Sequence, residues 1–166
     1  MNSLMKPAVA VTIEPQNINH AEGLYAALQD RRIYSFLDQE PPTSVEGLRE
    51  RIARLSNGAP KHTGQTWLNW TVFEAGVIVG YTQATISAGG IASLAYVLTP
   101  GVWGRSIAHA ACTLTIAELE ALPVVDKIVA DTEEGNARSQ ALLKRLGFQR
   151  THQAGPDVFY SRANSP

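Results

Sequence analysis

The chain has 166 residues, 45% of them hydrophobic and 17% charged, with a formal net charge of -1. This composition excludes a disordered or fibrous chain and fits one domain large enough to bury a core without staples, and the near-neutral charge leaves no basic excess to hold nucleic acid or an anionic membrane at long range. The single cysteine, Cys112, cannot close an internal disulfide, and His20, His62, His109 and His152 stand in no metal-ligand spacing, so a reducing compartment (the cytoplasm by default) and no metal are expected.

Taken in order, Met1 to Pro7 reads as a loose terminus, and the apolar run Ala8 to Ile13 is too short for a secretory core. No stretch approaches the length of a membrane span. Val9 to Ile13 alternates and is rich in β-branched residues, which predicts a first strand stopped by Pro15. Asn17 is placed to cap a helix running to about Asp30 with Ala21, Leu24 and Leu28 on its apolar face. After Pro41-Pro42 a second helix is predicted from Thr43 or Ser44, with Glu46 as capping-box partner and Leu48, Ile52 and Leu55 inward. Ser56 to Gln65, with Asn57-Gly58, Pro60 and Gly64, reads as a loop.

Trp67 to Glu74 and Val77 to Ser87 read as two strands joined by a hairpin at Ala75-Gly76, and Trp67 and Trp70 fall on opposite phases of the first. Gly89-Gly90 turns the chain into Leu94 to Leu98, an apolar run that ends at Thr99-Pro100. A loop containing Gly101 and Gly104 follows, and then a helical pattern from Gly104 to about Leu122 through Ile107, Ala111, Leu114, Ala117 and Ala121. A strand, a glycine loop and a helix in succession suit a phosphate cradle, because the loop amides and the first-turn amides of the helix have no partner within the helix; the other reading is a turn that only lets the helix pack close to its strand. Lys127 to Asp131 is predicted as a strand, Asn136 to Leu146 as a helix closed by Gly147, and Phe148 to His152 and Val158 to Ser161 as the last strands. The expected architecture is α+β: one domain over residues 1–166, core 7–163, with a mostly antiparallel twisted sheet, one parallel βαβ crossover from Leu94 to Ala130, and helices on both faces.

Trp103-Gly104-Arg105-Ser106-Ile107-Ala108 after a strand ending in Leu98-Thr99-Pro100, and Asn136, Ser139 and Leu146-Gly147-Phe148 farther on, carry a resemblance. With the element order they resemble the GCN5-related N-acetyltransferase superfamily over nearly the whole chain. Within it they are similar to the ribosomal-protein N-terminal alanine acetyltransferase (RimJ/RimL type) branch, whose motifs are WG-x-G-x-A and N-x-x-S followed by LGF. The resemblance implies acetyl-coenzyme A as co-substrate, its pyrophosphate on amides from Val102 through Trp103, Gly104, Arg105, Ser106 and Ile107 to Ala108. It implies a pantetheine arm paired with Tyr96, Val97 and Leu98 like an added strand, which requires this strand to part from the one at Ile128. It further implies that the amide near Tyr96 polarises the thioester carbonyl, that Asn136 anchors the arm, and that Ser139 protonates the leaving thiolate.

Three positions depart from the family pattern. Ser106 stands where the loop has Gly or Ala and would crowd the phosphate approach; Leu143 stands where many superfamily members carry an acidic Tyr; and Ser93 stands where the branch often has a Glu as base. Glu74, Asp131 and Glu133 are the carboxylates offered in its place, with the base unassigned. His109 reads as a surface residue. No G-x-S-x-G elbow, P-loop lysine or dinucleotide fingerprint occurs. The expected activity is direct transfer of acetyl to a primary amine, either a protein N-terminus or a small molecule; a non-catalytic acyl-coenzyme A sensing module is the alternative. No nucleic-acid or membrane partner is expected, and a homodimer stays open.

Overall fold

The computed structural model describes residues 10–164. The expected loose terminus at Met1 to Pro7, and Val9 of the first predicted strand, lie outside them. Seven strands form one sheet in the order β1-β2-β3-β4-β5-β7-β6. They are β1 (Val11–Pro15), β2 (Thr66–Glu74), β3 (Val77–Ile86), β4 (Ile91–Leu98), β5 (Lys127–Glu133), β6 (Gln149–Ala154) and β7 (Asp157–Ala163). Every pairing is antiparallel except β4 with β5, which are joined by the predicted crossover.

The helices are α1 (Ala21–Ala27), α2 (Val45–Ser56), α3 (Ile107–Glu120) and α4 (Ala137–Arg145). On one face of the sheet, Leu24 of α1, Leu28 just after it, and Leu48 and Ile52 of α2 close over Val97. On the other, Cys112, Ile116 and Leu119 of α3 and Leu142 and Leu143 of α4 pack on Ala84, Leu94, Ile128, Ala130 and Tyr160. Two polar groups buried in this second layer satisfy each other, Thr82 Oγ1 and Thr115 Oγ1 at 2.7 Å, as the cost of an unpaired buried hydroxyl demands.

Local departures from the sequence reading have identifiable causes. Pro15 does not stop β1 but is its last paired residue, opposite Trp70, because a proline is tolerated on an edge strand. The helix expected from Asn17 to Asp30 divides. Asn17 caps a single 3-10 turn, Ile18–His20, in a capping box closed by His20, and α1 then ends at Ala27. Asp30 accepts from the Arg32 N–H and starts a separate 3-10 segment, Arg31–Phe36.

Ser44 caps α2 by accepting from the Gly47 N–H at 3.0 Å. The reciprocal position is therefore Gly47, which has no side chain, and Glu46 pairs instead with Arg49 at 2.7 Å. Trp70 is buried in the core, whereas Trp67 donates its indole N–H to the Gln65 side chain at 3.1 Å. The α3 helix begins at Ile107 rather than Gly104, because Gly104 and Ser106 both take positive φ values, 72° and 63°, that no right-handed helix admits. Gly147, at φ 86°, ends α4 with its N–H on the Lys144 carbonyl and that of Phe148 on the Leu143 carbonyl, a double bond pattern that satisfies the last turn.

Candidate active site at the opening of the sheet

The ladder between β4 and β5 is short. Ile91, Ala92 and Ser93 pair with Lys127, Ile128 and Val129, and no pairing continues between Leu94–Leu98 and Ala130–Glu133. The β3–β4 ladder fixes which backbone groups face this gap. Ser87 N–H donates to Ile91 O and Thr99 N–H to Val79 O, so by alternation Ser93, Ala95 and Val97 bond to β3. The N–H and C=O groups of Tyr96 and Leu98 point the other way, into the opening. The Leu98 carbonyl receives the Trp103 indole N–H at 2.9 Å, and the groups of Tyr96 remain available.

A cavity of about 580 Å3 runs through this opening, a volume in the range of small-molecule sites. It brings together Tyr96, Val97, Leu98, Val102, Trp103, Gly104, Ser106, Ile107, Ala108, Asn136 and Ser139. The Arg105 side chain is not among its walls: it turns outward to an ion pair with Glu74. That pair also engages Glu74, one of the three carboxylates offered as base. Leu143, at the position of the absent Tyr, is fully buried in the core, and Ser93 is exposed.

On the α3 and α4 side the walls are the loop and the N-terminus of α4. After a 3-10 turn at Pro100–Val102, Gly104 and Ser106 bend the chain into α3. The first helical bond runs from Ala110 N–H to Ser106 O. Among the described residues no acceptor receives the N–H groups from Gly104 to His109. A Cβ built on Gly104 would meet nothing within 4 Å, so the approach to these amides is open. Trp103 is clamped between the Leu98 carbonyl and the Arg138 guanidinium, which lies 3.5 Å from its ring centroid. Arg138, Arg145 and His109 add positive or protonatable groups to this wall, and His109, expected at the surface, thus belongs to the cavity.

Asn136 caps α4, its side chain accepting from the Ser139 N–H at 3.1 Å. The cap holds Ser139 in the first turn, where its hydroxyl lies 2.6 Å from the Tyr96 hydroxyl. Burial raises the pKa of the Tyr96 phenol well above its ordinary value, so the group is protonated throughout the physiological range. Cys112, beneath it in α3, is pushed up to about 12 by burial and is an inert thiol.

On the opposite side the cavity is walled by Arg32, Ile33, Phe36, Leu37 and Asp38 from the 3-10 segment and its exit, and by Asp131, Glu133 and Asp157 from β5 and β7. These last three share a face. Ala130 and Tyr160 point into the α3–α4 layer, so Asp131, Glu133 and the register partner of Glu133, Asp157, point away from it. Asp131 is exposed, and partial desolvation and then the neighbouring Asp157 carboxylate raise its pKa above the ordinary aspartate value. The two ends of the cavity therefore differ in charge: basic groups and free amides beside α4, carboxylates beside β5 and β7.

Sequence reasoning singled out the loop, Tyr96, Asn136 and Ser139, but not the 3-10 segment, Arg138, Arg145 or Asp157. Asp30 ahead of Arg31, a short polar residue in cap position, was the available signal for the segment. No cluster of described residues has a metal-binding arrangement, and no described helix is long and apolar enough to cross a membrane.

The model of the acetyltransferase (GNAT) domain family matches residues 10–149. Among solved structures, the chain is similar to RimL, the ribosomal L7/L12 alpha-N-protein acetyltransferase in complex with coenzyme A. The TM-score is 0.80 at 16% identity, covering 94% of this chain and 95% of that one. It is also similar to the aminoglycoside acetyltransferase AAC(6')-Ib in complex with coenzyme A, at TM-score 0.76 and 16% identity over 93% and 95% of the two chains. An acetyltransferase from Thermus thermophilus matches at TM-score 0.73 and 18% identity, over 93% and 97%. At these identities the likeness is one of fold. No curated protein matches the sequence.

Proposed function

The chain belongs to the acetyltransferase (GNAT) domain family, and from that premise we propose that it is an acetyl-coenzyme A dependent N-acetyltransferase acting on a primary amine. The observation that carries this reading is the β4–β5 opening. It sets unpaired backbone groups, a row of free loop amides and a half-buried hydroxyl pair around one cavity with an acidic far side. The RimJ/RimL-like motifs at Trp103-Gly104 and Asn136-x-x-Ser139 make a protein or peptide N-terminus one candidate acceptor; a small polyamine or aminoglycoside is another.

The residues present fit the co-substrate. The amides from Gly104 to His109, at the positive end of the α3 dipole and beside Arg138 and Arg145, would hold its pyrophosphate. The Tyr96 C=O and the Leu98 N–H would pair with the amides of its pantetheine arm as an added strand does, which leaves the Tyr96 N–H for the thioester carbonyl. Bound there, acetyl-coenzyme A supplies an electrophilic thioester carbonyl and a thiolate leaving group.

The protein's own groups then have distinct tasks. The Tyr96 phenol stays protonated, and either hydroxyl of the pair can donate to the other; with Tyr96 as donor, the Ser139 proton is free to turn toward the cavity, where it can meet developing negative charge on sulfur. The Tyr96 amide, fixed by the sheet, stabilises charge on a carbonyl oxygen without reorganising. Ser106 takes a left-handed backbone, φ 63°, of the kind glycine adopts most readily.

Thermal unfolding with and without acetyl-coenzyme A tests the reading. A ligand at about a hundred times its Kd stabilises the native state by about 2.7 kcal/mol and must raise Tm. A shift together with acetylated product from an amine panel is the expected result. A shift without product would favour the sensing module, and no shift at millimolar ligand would overturn the coenzyme site.

A further inference from the structure

The loop between β4 and α3 is anchored at both ends and loosely held in the middle. Before the bend, Val102 is buried and the Trp103 indole N–H bonds the Leu98 carbonyl at 2.9 Å. After it, Ile107 is buried with Val102, Val72 and Ala111 in one small apolar cluster. Three residues lie between these anchors. Gly104 has no side chain, and the Ser106 hydroxyl makes no cap bond to α3. Yet both hold positive φ, 72° and 63°, and a residue with a Cβ stays in that region only where its surroundings keep it there.

Arg105 supplies the hold. Its guanidinium reaches Glu74 with both terminal nitrogens, Nη1 at 3.2 Å from Oε2 and Nη2 on Oε1, a forked pair between residues 31 apart in the chain. Glu74 stands on a firm element. It closes β2 opposite Val11 of β1, and the next residue, Ala75, donates its N–H to the Ala10 carbonyl at 2.8 Å. The Glu74 side chain is only 15% exposed, against 48% for Arg105, so the carboxylate is screened less than in an ordinary surface bridge. Among the described residues neither partner has a second ion pair.

The direction of this contact decides what Arg105 does. It sits in the row of amides from Gly104 to His109 that have no acceptor among the described residues, and a guanidinium there can turn inward to an anion or outward to the sheet. Gly104 and Ser106 line the cavity, and Arg105 between them does not. Resting on the coenzyme reading above, we propose that Glu74 and Arg105 form a strap that sets the loop amides in place for the pyrophosphate before it arrives. Arg105 is then a positioning residue and not a phosphate ligand, and Glu74 acts through it from outside the cavity. Backbone already ordered in the free protein loses no further freedom on binding, which strengthens affinity.

Calorimetric titration of the full chain with acetyl-coenzyme A tests the strap. Glu74→Gln keeps the shape of the side chain and removes its charge, and its Kd should rise about fivefold or more. Arg105→Met should match it. The double variant should bind no more weakly than either single one, because each change alone releases the strap. Arg105→Lys keeps the charge and one prong of the contact, so it should recover part of the loss, a rescue that simple removal of a side chain from the fold would not give. Arg105 is half exposed, so its variants fold even where a change at the covered Glu74 does not. Tighter binding in Glu74→Gln with weaker binding in Arg105→Met would overturn the strap, since it would mean that Glu74 withholds a guanidinium from the phosphate. Unchanged affinity in Arg105→Met would overturn it as well and leave the coenzyme reading standing. Wild-type protein that does not bind acetyl-coenzyme A would overturn that reading and the strap together.

Discussion

The Ser139 hydroxyl is placed by two bonds of different origin. The Asn136 cap is local, and the motif Asn136-x-x-Ser139 makes it legible in the sequence itself. The contact with Tyr96 spans 43 residues and depends on how α4 crosses β4, which no local pattern encodes. Sequence therefore indicates Tyr96 only through its backbone, while its phenol turns out to be the partner of Ser139. We expect Ser139→Ala to lower kcat about 100-fold with the Kd for acetyl-coenzyme A changed less than about threefold, since the lost group acts on the leaving sulfur and not on the binding surface. Tyr96→Phe should give a smaller loss, and the double variant no more than Ser139→Ala alone, because the phenol acts only through the serine. Steady-state kinetics with a binding isotherm for each variant checks this; additive losses would show that the two hydroxyls work independently.

At the level of elements, the strands, the crossover and α4 were legible because each carries its own signal: alternation, a glycine turn, a cap. What escaped was the start of α3 and the 3-10 segment Arg31–Phe36. In both cases a short backbone bend decides the path, and helical periodicity reads straight through it. The loop bend matters to function because the positive φ values at Gly104 and Ser106 fall in the stretch whose amides have no acceptor among the described residues. Asn and Asp both tolerate the left-handed conformation and have the same shape, so Gly104→Asn and Gly104→Asp should fold alike. They differ by one negative charge facing the pyrophosphate. A unit charge at about 4 Å and an effective dielectric of about 20 costs about 4 kcal/mol, and salt screening reduces this without abolishing it. The Asp variant should bind acetyl-coenzyme A at least about tenfold more weakly than the Asn variant, with the gap narrowing as salt is raised. Equal affinities by calorimetry would place the pyrophosphate elsewhere.

The whole sheet is two antiparallel halves, β1 to β4 and β5 with β7 and β6, joined by a parallel ladder of three residue pairs. A longer ladder would seal the cavity, and none at all would let the halves separate; the layer of α3 and α4 over both halves, with the Arg162–Glu120 ion pair between β7 and α3, holds them at the splayed angle. The mixed topology was legible from element order, but the point where pairing stops was not, because Leu94 to Leu98 is as apolar and β-prone as a fully paired strand. A ligand strand laid against β4 has a signature that a ligand merely touching the surface lacks. The amides of Ala95 and Val97 already donate to β3 and should exchange slowly with or without acetyl-coenzyme A. Those of Tyr96 and Leu98 face the opening and should exchange fast in the free protein and slow markedly on binding. Hydrogen exchange resolved to single amides by NMR distinguishes the cases. Uniform slowing across Ala95 to Leu98 would mean that the coenzyme stabilises the molecule globally without pairing to the strand, and the alternating pattern would show it completing the sheet that the chain leaves open.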